Sequence, residues 1–259
     1  MNALAVLTLW QREIVRFVRQ RSRVIGALVQ PVVFWVLLGG GLSGSFRPPG
    51  APSGTGYLEY FFPGTIALVL LFTAIFATIA VVEDRRSGFL QGVLVAPVAR
   101  RSIVLGQALG ATTLAVAQGL LFLALAPLAG VPLTVARVLA TSGTMALVAF
   151  GLTNLGLVIA WRMESTQGFH AIMNLVLLPI WFLSGAFFPA TGAPTWLQWA
   201  MRLDPLTYGL TALRTCLYLG RDVAAPGASG LGVSLALSAL FGLVTFAAAA
   251  AVAERSGTI

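Results

Sequence analysis

The chain has 259 residues, carries a formal net charge of +8, and is 58% hydrophobic and only 9% charged. A soluble domain carries roughly 25% charged residues, and a disordered chain is strongly polar, so both classes of protein are excluded. The excess apolar surface has to face lipid, which indicates a protein that crosses a membrane several times.

The basic residues are all arginines, and they stand mostly in short clusters between apolar runs. Clusters of this kind orient membrane spans, whereas a nucleic-acid-binding protein shows a basic face on a soluble fold. Nucleic acid is therefore not an expected partner. The single cysteine, Cys216, has no second cysteine to pair with, so we interpret it as a packing residue.

Residues 1–23 predict an amphipathic helix that lies in the membrane interface rather than a span. The apolar face of this helix is predicted to hold Val6, Leu7, Trp10, Ile14, Phe17 and Val18. Two interpretations of the helix stay open. It is either an anchor that fixes the topology or a docking surface for a cytoplasmic partner.

Six apolar runs each approach or exceed the roughly 20 residues that a membrane-spanning helix needs. They cover about 24–42, 61–82, 103–128, 138–160, 171–188 and 231–253. The runs are continuously apolar and do not alternate, which favours helices over barrel strands. The predicted fold class is therefore an all-α polytopic membrane protein, with one transmembrane domain over residues 1–259. Within it, Gly106 and Gly110 predict close helix packing.

Residues 189–230 predict two short helices on the outer side before the last span. Asp204 followed by Pro205 is typical of a helix N-cap and a first helical residue. The helix that follows, Leu206 to Leu219, is too short and too polar to span. We expect it to dip partly into the outer leaflet and return.

The distribution of arginine predicts the orientation. Eleven arginines fall on the side that holds residues 1–23 and the connecting segment 83–102, against five on the other side. The side richer in arginine is expected to be cytoplasmic, so both termini are predicted to lie inside.

Several kinds of chemistry are not expected from this chain. It contains no lysine, so the phosphate-binding Walker motif cannot occur, and any ATP has to be bound by another chain. With one His and one Cys, no metal site is expected. Ser43 stands in a Gly-x-Ser-Gly motif similar to that of rhomboid proteases, but the predicted topology places it across the membrane from the only histidine, His170. No acidic residue is predicted near the middle of a span, which argues against ion-coupled secondary transport.

Four segments together resemble one family. Residues 83–98 read Glu-Asp-Arg-Arg-Ser-Gly-Phe-Leu-Gln-Gly-Val-Leu-Val-Ala-Pro-Val: an acidic residue, a basic pair and a glycine, then a leucine-rich turn and an Ala-Pro. Phe-Pro-Gly stands at 62–64, Phe-Leu-Ser-Gly-Ala-Phe-Phe-Pro at 182–189 and Leu-Asp-Pro-Leu-Thr-Tyr at 203–208. In order and spacing this set resembles the type-2 ABC-transporter permeases, in the branch that exports antibiotics and nodulation factors. Gly92 departs from the pattern, since many relatives carry a polar residue there.

The resemblance implies that different subunits span the membrane and hydrolyse ATP. Two six-span subunits, identical or related, form a dimer in a bacterial cytoplasmic membrane, and two ATPase subunits that hold ATP and Mg²⁺ bind beneath them. The residues expected to couple this chain to the ATPase are Arg12, Glu13, Arg16, Glu83, Asp84, Arg85, Arg86, Gly88, Leu90, Leu94 and Pro97. Arg85 and Arg86 are expected to pair with acidic groups of the ATPase, while Leu90 and Leu94 fill its apolar pockets. The alternative is a solvated loop that only orients the spans.

The first, second and fifth spans line the inner path in relatives. Here they offer Phe34, Trp35, Phe72, Phe76, Asn174 and Trp181. The resemblance implies outward transport, and such a lining suits an amphipathic, drug-like or lipid-linked molecule. Three alternatives stay open: export of polysaccharide or glycolipid by the same mechanism, secondary transport of hydrophobic compounds, and an intramembrane enzyme.

Overall fold

In the computed structural model of the chain, residues 2–42, 56–190, 193–219 and 230–255 are described. Within these ranges the backbone forms α-helices and a short 3₁₀ helix at Ala126–Ala129, and no strand. The helices are α1 (Ala3–Arg19), α2 (Arg21–Leu42), α3 (Tyr57–Ala77), α4 (Ile79–Arg86), α5 (Phe89–Val95), α6 (Arg100–Leu123), α7 (Val135–Ala160), α8 (Thr166–Leu183), α9 (Thr195–Leu203), α10 (Pro205–Leu217) and α11 (Leu231–Arg255). The predicted all-α fold class is confirmed.

Five helical segments within the described ranges are long and apolar enough to cross a membrane. They are α3 continued by α4, then α6, α7, α8 and α11. Helix α2 has 22 residues, and its described apolar part includes Val29–Leu42. The chain is a multi-pass membrane protein, while the sixth span and the side on which the termini lie stay predictions.

The centre of the bundle is α3, which is apolar on every side and buried along almost its whole length. A helix that is hydrophobic all round has to be surrounded by protein or lipid, and here α2, α6, α7 and α10 surround it. One end of the bundle carries α1, α4 and α5, and we call it the α1 end. The opposite end, called the far end, carries α9, α10 and the start of α3.

Helix α1 packs along α6 at two glycines. A Cβ atom on Gly106 would lie 2.8 Å from the Cβ of Leu9, and one on Gly110 would lie 2.7 Å from the Cβ of Glu13. Neither distance leaves room for a side chain, so these glycines allow the two helices to approach closely. The close packing predicted for Gly106 and Gly110 is confirmed, with α1 as the partner helix.

The buried face of α1 differs from the predicted apolar face. Leu9, Glu13 and Phe17 are the buried residues of the helix, while Leu7 and Val18 are exposed. The apolar face was predicted to lie in the membrane interface, so the exposure of Leu7 and Val18 outside the bundle does not contradict that prediction. The close approach of α1 to α6 at Gly106 and Gly110 turns Glu13 toward the protein.

At the far end, the cap predicted for α10 is confirmed. The backbone N–H of Leu206 donates to Oδ1 of Asp204 at 3.0 Å, and Pro205 is the first helical residue. The other end of α10 is held by Arg137, whose Nη2 donates to the carbonyl oxygen of Leu219 at 2.7 Å. Both ends of this short helix therefore have polar partners within the protein.

Candidate functional site

Four charged side chains join α1 to α4 at the α1 end. Arg12 donates two hydrogen bonds to Asp84, from Nη1 to Oδ2 at 2.6 Å and from Nη2 to Oδ1 at 2.7 Å. Arg16 donates from Nη1 to Oδ1 of Asp84 at 2.9 Å and from Nη2 to Oε2 of Glu83. We call Arg12, Arg16, Glu83 and Asp84 the ion cluster. The structure thus brings four of the predicted coupling residues together.

Asp84 is the centre of the ion cluster. It is buried, and it accepts from two guanidinium groups, one of them in the two-pronged geometry that gives the strongest ion pairs. The hydrogen bond to Asp84 raises the pKa of Arg12 above its ordinary value. A buried carboxylate needs such partners, because an unpaired one would be strongly destabilising. The ion cluster therefore fastens α1 to the end of α4.

Glu13 lies beside the ion cluster but is not at its centre. Its side chain is packed against Gly110, and burial raises the pKa of Glu13 to about 7. The weak contact with Arg12, 3.4 Å from Nη1 to Oε1, does not offset this burial. We therefore expect Glu13 to change its protonation state near neutral pH.

The basic pair of the loop has partners inside the chain. Arg85 donates to the carbonyl oxygens of Trp161 at 2.6 Å and Met163 at 3.2 Å, at the C-terminal end of α7. A cation at a helix C-terminus interacts favourably with the helix dipole. Arg86 lies 3.4 Å from the hydroxyl of Thr166 and is exposed. Within this chain Arg85 thus caps α7, and its contact with an acidic group of a partner stays a prediction.

Gly88 begins α5 with a left-handed backbone conformation, φ +76°, which turns the chain back after α4. Leu90 is only 3% exposed and packs in the core of this chain, which differs from the surface role predicted for it. Leu94 is half-buried and Pro97 is exposed. Val95, at 85% exposure, is the most exposed apolar residue of the segment.

Sequence reasoning missed Phe89. Its ring is exposed at the start of α5, and the guanidinium carbon of Arg12 lies 3.9 Å from the centre of the ring. An aromatic residue beside a glycine in a charged loop was the available signal.

Between α1 and α5 runs an open apolar groove of about 630 Å³, lined in part by Leu4, Thr8 and Val93. We call Phe89, Val95 and this groove the α5 surface.

A pocket of about 390 Å³ lies between α1, α2, α3, α4 and α8. Its lining includes Phe72, Phe76 and Asn174, three of the six residues predicted for the path. Sequence reasoning did not assign Phe17, Gln30 or His170 to a path, and all three line the pocket. Gln30 lies one helical turn after Gly26, and His170 lies one turn before Asn174. This spacing is the sequence signal that could have identified Gln30 and His170.

The other three predicted path residues lie outside this lining. Trp35 is buried, donates from Nε1 to the carbonyl oxygen of Leu58 at 3.1 Å, and packs edge-on against Phe62 and Phe122. Trp181 is fully buried and donates from Nε1 to the carbonyl oxygen of Gly64 at 2.8 Å. Phe34 is partly exposed on α2.

At the far end, α3 packs closely against the segment that follows α8. There the motif at 62–64 meets the motif at 182–189, so closely that a Cβ atom on Gly64 would lie 2.8 Å from the carbonyl oxygen of Ala186. Tyr57 and Tyr60 donate their hydroxyls to the carbonyl oxygens of Phe187 at 3.1 Å and Gly185 at 3.2 Å. We call these two tyrosine hydrogen bonds the far-end clamp.

Buried Arg214 supports the clamp. Its guanidinium carbon lies 4.5 Å from the centre of the Tyr60 ring, and its Nη2 lies 3.5 Å from the same carbonyl oxygen of Gly185. The cation therefore sits at the C-terminal end of α8, where the helix dipole is negative. Tyr60 and Arg214 together hold α3 and α10 against the end of α8.

The described residues contain no group of three or more His, Cys, Asp or Glu side chains that could hold a metal ion. His170, the histidine of the pocket, stacks on Phe76 instead, with ring centres 5.3 Å apart. Ser43, the other residue of the predicted protease alternative, lies outside the described residues.

Comparison with known proteins matches residues 5–218 to the ABC-2 type transporter family. Nodulation protein J of Rhizobium leguminosarum bv. trifolii is 27% identical over 225 residues, which are 86% of this chain and 84% of that protein. The inner membrane transport permease YadH of Escherichia coli (strain K12) is 26% identical over 215 residues, 82% of each chain. The ycf38 protein of Cyanophora paradoxa, named as a transport permease, is 27% identical over 213 residues, 81% of this chain and 72% of that one. The matched region includes the ion cluster, the pocket and the far-end clamp, and the chain belongs to the ABC-2 type transporter family of transport permeases.

Proposed function

We propose that this chain is the membrane-spanning subunit of an ATP-driven exporter whose ATP is bound and hydrolysed by a separate ATPase subunit. The observation that carries the proposal is the ion cluster, which joins α1 to α4, two helices that also line the pocket through Phe17 and Ile79. Membership of a family of transport permeases supports the general function. The absence of lysine, and with it of a Walker motif, supports placing ATP on another chain.

The ATPase is proposed to bind the α5 surface. Exposed apolar side chains such as Phe89 and Val95 beside charged residues are typical of a surface that a partner covers. Helix α4 continues α3, and α3 lines the pocket. A displacement of α5 by the partner therefore reaches the pocket through α4 and α3, and reaches Phe17 through the ion cluster and α1.

Coupling requires that the ATPase bind two states of the permease with different free energies. In the described conformation the far-end clamp joins α3 to the segment that follows α8. We propose that this is the inward-facing state, with the α1 end in the cytoplasm, as the arginine distribution predicts. In the second state the clamp opens and the α1 end closes.

The assembly is proposed to contain two ATPase subunits and two permease subunits, identical or related, in a bacterial cytoplasmic membrane. The cargo is proposed to be an amphipathic, drug-like or lipid-linked molecule. The pocket supports this class of cargo because its lining combines phenyl rings with a few polar side chains. Export of a polysaccharide or glycolipid is the alternative cargo within the same mechanism.

Affinity purification of the tagged chain from its own host in mild detergent tests the function. We expect a stoichiometric ATPase to copurify, and we expect Phe89→Ala and Val95→Asp to remove it without loss of the permease. Trp196→Ala is the matched control, because Trp196 is an exposed aromatic residue of α9 at the far end. A chain that purifies alone, and that transports in liposomes under an ion gradient without ATP, would be a secondary transporter instead.

A further inference from the structure

A second groove runs along α1 and α6, beside the close contact of the two helices at Gly106 and Gly110. Its volume is about 510 Å³, and its walls include Val6, Leu7, Leu105 and Leu109. It shares no lining residue with the pocket or with the groove between α1 and α5. We call it the α1–α6 groove. Because α1 is amphipathic and α6 is long and apolar enough to span, this groove lies where an interfacial helix meets a span.

The two polar side chains of the α1–α6 groove are paired with each other. Trp10 donates from Nε1 to the hydroxyl oxygen of Thr113 at 3.0 Å, and that hydroxyl donates to the carbonyl oxygen of Leu109 at 2.8 Å. The remaining described side chains of the lining are apolar. A hydrocarbon chain can therefore fill the groove without depriving these polar groups of their partners.

The wall formed by α6 belongs to a longer strip that begins with a cation. Arg101, Leu105, Leu109 and Thr113 are four residues apart, so they lie on one face of the helix, and all four are at least partly exposed. From Arg101 to Thr113 the helix rises about 18 Å. The hydrocarbon of one leaflet is about 15 Å thick, half of the bilayer core. The strip is therefore about as long as one leaflet, with its charge at the α1 end and its leucines below.

Arg101 has donors to spare at the head of this strip. Its Nε donates to Oε1 of Glu254 at 3.0 Å, while its Nη1 and Nη2 donate to no described residue, and the side chain is 66% exposed. Arg255 follows Glu254 and is exposed, so two arginines stand against one glutamate at this edge. A phosphate group can accept from both free Nη atoms of one arginine, which is the two-pronged geometry of strong anion binding.

We propose that the α1–α6 groove binds an acyl chain of an anionic phospholipid whose phosphate is held by Arg101. The lipid belongs to the leaflet at the α1 end, which the arginine distribution predicts to be the cytoplasmic leaflet. Its headgroup lies at the start of α6, and its chain runs past Leu105 and Leu109 toward Thr113. This lipid makes α1 an anchor, and the site depends neither on the cargo nor on the ATPase.

Native mass spectrometry of the full-length protein, purified and delipidated in mild detergent, tests the proposal. The probe is palmitoyl-oleoyl phosphatidylglycerol, and phosphatidylcholine with the same chains is the zwitterionic comparison. We expect one phosphatidylglycerol per chain to bind more tightly than any further lipid and more tightly than phosphatidylcholine. Arg101→Gln should weaken this site about fivefold, the usual contribution of one arginine beside anionic lipid. Leu109→Trp should weaken binding of both lipids, because the indole ring fills the groove.

Each variant has a matched control. Leu120→Trp makes the same change on α6 at a leucine that is also 37% exposed but lies outside the groove lining. Arg202→Gln removes an exposed arginine at the far end. Affinities for phosphatidylglycerol that are equal in each variant and its control would overturn the site, and equal affinities for the two lipids would overturn the role of Arg101. A copurified ATPase that excludes the tightly bound lipid would also overturn the proposal, because the groove would then belong to the subunit interface.

Discussion

Arg12 and Asp84 are 72 positions apart in the chain, and two hydrogen bonds of 2.6 and 2.7 Å join them in the structure. Arg16 binds the same carboxylate, so one buried acidic side chain holds two turns of α1. Because α4 continues the central helix α3, this single carboxylate links the peripheral helix of the bundle to its core.

The first prediction concerns this carboxylate. We expect Asp84→Ala to lower the free energy of unfolding by about 2–3 kcal/mol, somewhat below the cost for a fully buried pair because both arginines are partly exposed. Glu254→Ala is the control, since Glu254 pairs with Arg101 on the surface and should contribute at most about 1 kcal/mol. Chemical unfolding in detergent, followed by circular dichroism, measures both. Equal effects of the two variants would contradict the central role of Asp84.

The second prediction concerns pH. The pKa of Glu13 is raised by burial to about 7 from an ordinary value of 4.5, so the folded protein favours its neutral form. The resulting penalty is absent below about pH 4.5, grows as the pH rises toward 7, and is complete above it. Glu13→Gln should therefore be more stable than the natural protein at pH 8, by about 1–3 kcal/mol, and equal to it at pH 4.5.

Unfolding midpoints of the detergent-purified protein at the two pH values measure this difference. The exposed Glu254→Gln variant makes the same chemical change at the surface and should show no such trend. A Glu13→Gln variant that is less stable than the natural protein at pH 8 would mean that the ionised carboxylate is stabilising and would refute the assignment.

The third prediction concerns the contact of α1 with α6. Replacing a helical glycine by alanine stabilises a helix by about 0.5–1 kcal/mol when space is available. Gly110 has no such space, because the new Cβ would lie 2.7 Å from the Cβ of Glu13, and overpacking of this kind costs about 1–3 kcal/mol. We expect Gly110→Ala to be destabilising overall and to make α1 more sensitive to limited proteolysis. Gly143→Ala in α7, with nothing within 4 Å, should be neutral or stabilising.

The fourth prediction concerns the far-end clamp. Tyr60→Phe removes one hydrogen bond to Gly185, worth about 1 kcal/mol, so the open state should become about fivefold more populated. We expect maleimide to label a cysteine at the buried position Ser184 about fivefold faster in this variant, in a background where Cys216 is replaced by alanine. Tyr208→Phe is the matched control, because it removes a hydroxyl that donates to the backbone carbonyl oxygen of Arg202 at the surface. An unchanged labelling rate in Tyr60→Phe would show that the clamp does not limit opening.

The elements predicted from the sequence are those that local properties decide. Continuous apolar runs were sufficient for α3, α7 and α11, because a helix in lipid satisfies its own backbone hydrogen bonds. Asp204 and Pro205 were sufficient for the start of α10, because a cap depends only on neighbouring residues. The sequence also predicted the charged loop and the family, since both depend on the order of residues along the chain.

The direction in which a side chain points was decided by the tertiary structure. Trp35 and Trp181 were predicted to line the path, yet each turns inward, because its indole N–H donates to a carbonyl oxygen on α3. Likewise Arg85 caps α7, although the sequence shows only a basic residue in a loop. These outcomes depend on partners more than 20 positions away, which no local pattern contains.

Composition and apolar runs alone determined that this chain is a helical membrane protein, because the free energy of placing each segment in lipid depends on that segment alone. Only the tertiary structure decided which residues form the functional surfaces. The ion cluster joins positions 12 and 16 to positions 83 and 84, and the pocket joins residues of α2, α3 and α8. Those contacts depend on how the helices rotate against one another, and the close approach at glycines such as Gly64 and Gly110 sets that rotation.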